Sequence, residues 1–118
     1  MYDKTFKTQA IVDITSDNVI IHGGDITKSL VQSVLIQTGN KIKNLKITNC
    51  LVKERSFYGI AIGTLTIESR ITIDEYSFDS AHIDTLTINS GATIARDYFN
   101  IGTLMIEQGV TIEEGGFS

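Results

Sequence analysis

Tryptophan is absent from this 118-residue chain, cysteine occurs once, and nowhere do apolar residues run unbroken for the thickness of a bilayer. Each gap closes off a class of protein. The lone Cys50 cannot form an internal disulfide. With no base patterned beside it, it reads as a small buried thiol rather than a nucleophile. A membrane span needs roughly 18 consecutive apolar residues, and nothing here approaches that. The opening Met1–Ala10 is polar and lacks the apolar stretch of a signal peptide, and no Asn-x-Ser/Thr sequon occurs. A cytoplasmic protein without membrane contact is the expectation. His22 and His82 stand apart, with no second imidazole or thiol at ligand spacing, so no metal is expected. Gly59–Gly63 is too apolar, and lacks the lysine, to cradle a phosphate. Gly23 and Gly24 mark a turn. No cofactor and no enzymatic activity are expected.

Positive charge is scarce in the second half. Residues 59–118 hold only Arg70 and Arg96 against nine carboxylates, a net −7, whereas residues 1–58 hold eight cations against five carboxylates, a net +3. Where sequence order is spatial order, this split makes the molecule a dipole along its length. The basic cluster Lys41, Lys43, Lys46, Lys53 and Arg55 is the one segment suited to nucleic acid. The overall charge of −4 opposes it, and no aromatic residues are interleaved to stack on bases. A protein partner with a basic surface suits the acidic half better.

What the chain does have is a repeat. Leucines stand at 45, 65, 86 and 104, spaced by 20, 21 and 18 residues. Two residues on come Ile47, Ile67, Ile88 and Ile106, and three residues before come Ile42, Ile62, Ile83 and Ile101. Six on come Leu51, Ile71, Ala92 and Val110, and thirteen on an aromatic, Tyr58, Phe78, Phe99 and Phe117. A register held at this period means stacked units that share one core. Within each unit the pattern alternates, as in Gly63–Glu68 and Asp84–Asn89, which predicts strands with Leu and Ile inward and Thr outward. A second short alternation follows a turn at Ile71–Asp74, Ala92–Ala95 and Val110–Glu113. The segment onward to the aromatic is too short for a full helix and predicts an irregular return with the aromatic plugging the core. In the N-terminal third, Asn18–Gly24 and Ser33–Gly39 read as strands, and Phe6–Ile14 as an opening strand that caps the first coil. The expected fold is all-β, a parallel β-solenoid in a single domain, with residues 1–41 as cap and irregular coils and residues 42–118 as four regular repeats.

The string from Leu65 to Phe78 resembles the bacterial surface-antigen type of leucine-rich repeat, often called BspA-like. Leu86–Phe99 and Leu104–Phe117 share its frame of strand, turn, Val-x-x-Ile and closing aromatic, so the likeness covers residues 42–118. It departs from that family in having no proline, in placing Phe57, Ser77, Tyr98 and Gly116 where alanine usually precedes the aromatic, and in lacking a cysteine after it. A right-handed parallel β-helix accommodates the same spacing.

On this reading the chain is a non-enzymatic protein–protein interaction module. Its binding face is the outward strand positions: Lys46, Thr66, Thr87 and Met105, flanked by Thr64, Thr85 and Thr103 on one side and Glu68, Asn89 and Glu107 on the other. Two other classes compete. One is a small acidic inhibitor of a nucleic-acid-binding enzyme. The other is a carbohydrate-binding or carbohydrate-active β-helix, for which Glu54 and Asp74 are expected to stack as a carboxylate pair; the missing tryptophan weighs against it. The last coil, with Leu104, Ile106, Val110, Ile112 and Phe117, is followed only by Ser118. Left uncovered, it predicts a homodimer through this C-terminal coil, or a partner that seals it.

Overall fold

The computed structural model describes residues 8–89, 91–95 and 100–113. Its strands are β1 (Ile11–Thr15), β2 (Asn18–Ile26), β3 (Ile42–Val52), β4 (Ala61–Glu68), β5 (Ile71–Ile73), β6 (His82–Ile88), β7 (Ala92–Ile94), β8 (Asn100–Ile106) and β9 (Thr111–Ile112), with one helix, α1 (Lys28–Thr38), between β2 and β3. Apart from β1, the strands pair in parallel and stack as a β-solenoid of about three turns. One stack runs through the first parts of β2 and β3 to β4, β6 and β8. The other runs through the ends of β2 and β3 to β5, β7 and β9.

The apolar skeleton becomes columns. Val19, Leu45, Leu65, Leu86 and Leu104 lie over one another, as do Ile21, Ile47, Ile67, Ile88 and Ile106. Ile26, Val52, Ile73, Ile94 and Ile112 form the column of the second stack. Alternation aims these side chains inward, so each coil covers the apolar face of the next, and the inner members are fully buried.

The two stacks meet at a corner where the chain turns through left-handed backbone. Gly23, Asn49, Arg70, Gly91 and Gly109 occupy it in successive coils, all with positive φ. The corner holds one residue in the β2 and β3 coils and two in the next, Ser69 and Arg70. That difference corrects the expected register of the β3 coil. Leu51 pairs with Thr72, not Ile71, so Cys50 falls in the core column of Ile71 and Ala92. The plug shifts with it. Phe57, not Tyr58, is fully buried, and its ring stacks on Phe78 with centroids 4.6 Å apart and planes within 2°. Tyr58 points outward, with Lys28 and Arg55 over its ring.

The returns between the stacks are runs of tight turns. Ser56, Tyr58 and Ile60 donate their N–H to the carbonyls three residues back, and Ser77, Asp79 and Ala81 repeat the arrangement one coil on. The Ser56 hydroxyl donates to the carbonyls of Ile26 at 2.9 Å and Lys53 at 2.6 Å, which ties the return to the coil before it. The expected plugs Phe99 and Phe117 lie outside the described residues, as does Phe6.

The first coil departs most from expectation. Ser33–Gly39, read as a strand, belongs to α1 and its C-cap. Thr27 caps the helix by accepting the Leu30 N–H on its hydroxyl, and Gly39, in left-handed conformation, ends it. Leu30, Val31 and Val34 share one helical face and plug the core. The helix lengthens this coil, so Asn18 and Asn44 are neighbours across 26 residues. β1 folds back antiparallel on β2. Ala10, just before it, is buried, and Val12 and Ile14 pack on the core.

Candidate interaction surface

Outward positions of the first stack form three parallel columns. Lys46, Thr66, Thr87 and Met105 are register partners, preceded by Ile20. Asn44, Thr64, Thr85 and Thr103 form the second, preceded by Asn18. The third starts at His22, Thr48 and Glu68, and Asn89 and Glu107 continue it, each donating its N–H to the coil before. Every outward residue named from the sequence thus lies on one face. Side chains along it hold one another: the Asn44 amide donates to the Asn18 amide oxygen at 3.2 Å, and that of Asn89 to a Glu68 carboxylate oxygen at 3.3 Å. The inner threonines are half-buried against their column neighbours, a ladder that stabilises the sheet.

Within the charge split of the sequence, ion pairs link neighbouring coils. Most cations of the described residues, Lys43, Lys46, Lys53 and Arg55 among them, lie in the β3 coil, and carboxylates of the coils on both sides pair with them. Lys43 pairs with Asp17 at 3.6 Å and Lys53 with Asp25 at 3.7 Å, both reaching back to the coil before. Lys46 pairs with Glu68 at 3.8 Å and Arg55 with Asp79 at 4.0 Å, both reaching forward. The cations of the β3 coil thus form a basic belt clasped by carboxylates of the coils on either side, within the net split between the two halves. The exposed pairs, Lys43 with Asp17 and Lys46 with Glu68, contribute about 0.2–1 kcal/mol each, whereas Asp25 in the Lys53 pair is buried.

Among the described residues, no ion pair holds Asp84, Glu107 or Glu113. The last two sit where β8 and β9 end the strand order of the described residues, each paired there on one side. Here the core columns are open. Leu104 is 41% exposed, Ile106 43% and Ile112 41%, against 0–2% for their column partners in the coils before. Met105, on the outer face, is 53% exposed, and Val110 still packs partly against the core.

Elsewhere the chemistry is quiet. Cys50 is buried, donating to the Thr48 carbonyl at 3.3 Å, and burial pushes its pKa up, which keeps the thiol protonated. His22 pairs with Asp13 at 3.0 Å across the β1–β2 hairpin. Glu54, Asp74, Glu75 and Tyr76 line an open hollow of about 320 Å³. The register shift, however, sets Asp74 beside Val52 and Lys53 rather than directly over Glu54. A larger groove of about 550 Å³ runs between the end of α1, the β1–β2 turn and the starts of β3, β4 and β6; its Asp17 and Lys43 are already paired with each other. Among the described residues no cluster of His, Cys, Asp and Glu is placed to hold a metal ion, and no helix is long and apolar enough to cross a membrane. No family model, no curated protein and no solved structure matches the chain.

Proposed function

We propose that this chain is a non-enzymatic protein-interaction module that docks a partner on its open end and the adjoining outward columns. The observation that carries the reading is the exposure of Leu104, Ile106 and Ile112 in columns that are elsewhere fully buried. Burying a large apolar side chain completely is worth about 1.5–3 kcal/mol. Covering these half-exposed ones, together with Met105, therefore supplies several kcal/mol to whatever seals the end. The edges of β8 and β9 add backbone donors and acceptors that a partner strand can satisfy. A homodimer through this coil buries the same apolar atoms but brings Glu107 and Glu113 of two copies together. A partner with a basic surface avoids that repulsion, and a small acidic inhibitor of a nucleic-acid-binding enzyme would work in this way. The finer fold description we favour is the BspA-like leucine-rich repeat, on the spacing of Leu65–Phe78.

Affinity capture with the wild-type chain and with Leu104→Lys tests the reading. Leu104 is already partly in water, so the substitution leaves the fold standing. The expected outcome is a partner, or a self-associated species in light scattering, that the variant loses. Equal capture by both chains sinks it.

A further inference from the structure

The coil that would fit the open end is described by the coils already in place. Carboxylates flanking the basic belt are answered by a cation one coil away: Asp17 by Lys43, Asp25 by Lys53, Glu68 by Lys46, Asp79 by Arg55. Glu107 stands in the column that Glu68 occupies. Glu113 donates its N–H to Ile94 just as Asp74 donates to Val52, which puts it in the column of Lys53 and Asp74. Among the described residues, both glutamates have a neighbour in the coil before them and no cation paired with them. Beside them lie the edge of β8 and the exposed Leu104 and Ile106.

From this charge complementarity we infer that the occupant of the open end is a basic β-strand of a separate protein, which adds in parallel to β8, lays alternate apolar side chains over Leu104 and Ile106, and brings Lys or Arg to Glu107 and Glu113. This rests on the interaction-module reading and names the chemistry of its partner. A second copy of the chain is a poorer occupant. Its own basic coil is covered on both sides by β2 and by β4 with β5, and its own open end carries the same two unanswered glutamates. Backbone pairing and apolar cover are available to any strand, so the cations decide which strand stays.

The probe is a synthetic peptide with the sequence of residues 41–53, Cys50 replaced by alanine, which forms such a basic rung inside this fold and ends on Lys53, the cation of the Glu113 column. The control has Lys43, Lys46 and Lys53 changed to glutamate. Binding is measured by fluorescence anisotropy, and protection of the amides of Thr103–Ile106 by hydrogen exchange. The basic peptide is expected to protect these amides and to bind at least about tenfold more tightly than the control, an advantage that shrinks as salt is raised. Glu107→Gln with Glu113→Gln is expected to remove that advantage and leave the melting temperature unchanged. Equal binding of both peptides overturns the charge assignment while leaving the open end as a docking site. Amides protected in the protein alone, and exposed on dilution, overturn it in favour of a second copy. Protection by neither peptide overturns it too, and the interaction-module reading then stands or falls on the capture experiment with Leu104→Lys.

Discussion

Single residues in this solenoid are judged by their column. Phe78 lies fully buried against Phe57, so replacing it removes a plug and a stacking partner together. Phe78→Ala is expected to cost roughly 3 to 5 kcal/mol in a denaturant titration. A loss below about 1 kcal/mol would contradict the close packing of the two rings. The corner gives the opposite sign. Arg70 holds a left-handed backbone with φ of 47°, where its neighbours in the column on the next coils are Gly91 and Gly109. A non-glycine residue there costs about 1–2 kcal/mol, and glycine returns part of the gain as unfolded-chain entropy. Arg70→Gly is therefore expected to stabilise the chain by about 0.5–1 kcal/mol, read as a higher denaturant midpoint at unchanged slope. A destabilised variant would show that the Arg70 side chain contributes more than its backbone costs.

At the scale of elements, α1 marks where periodicity in the sequence stops being informative. The segment Ser33-Val34-Leu35-Ile36 has the β-branched look of a strand, and Ile36 as a strand residue would face a core. In the helix it stands in water, 82% exposed, while Leu30, Val31 and Val34 turn inward. A short apolar run does not distinguish the two periods. The cap residues Thr27 and Gly39 were the legible signal, and the strand reading passed over them. Thr27→Ala is expected to cost about 1 kcal/mol through loss of the bond to the Leu30 N–H; an unchanged melting curve would mean that tertiary packing alone sets the helix start. From β4 to β7 the strands fall where alternation put them, because each has only one way to bury Leu and Ile together. The outward columns were legible for the same reason. The ion pairs between coils were not, because they join positions in neighbouring coils and depend on a register that sequence leaves open by one residue. That residue also moved the plug from Tyr58 to Phe57, two adjacent aromatics between which spacing alone could not choose.

For the molecule as a whole, stability is a sum of neighbour contacts along one axis, and among the described residues the coil carrying β8 has a neighbour on one side. The front is closed differently, by β1 and α1, so the two ends are unlike, and what the molecule meets at its rear is decided by one coil. The corner between the stacks has a further consequence, for descent rather than for stability. It accepts one residue in the β3 coil and two in the β4–β5 coil with the core columns unbroken on both sides. Loss or gain of a codon there leaves every inward side chain inward. The same change within a strand turns half of them out. A glycine inserted between Asn49 and Cys50 is thus expected to leave a folded protein, whereas one inserted between Leu45 and Lys46 abolishes the cooperative unfolding transition. Two equally stable insertions would refute this. If the corner is so permissive, lineages of this chain drift in coil length while keeping their shape, and ancestry outlasts any fixed period by which it could be recognised.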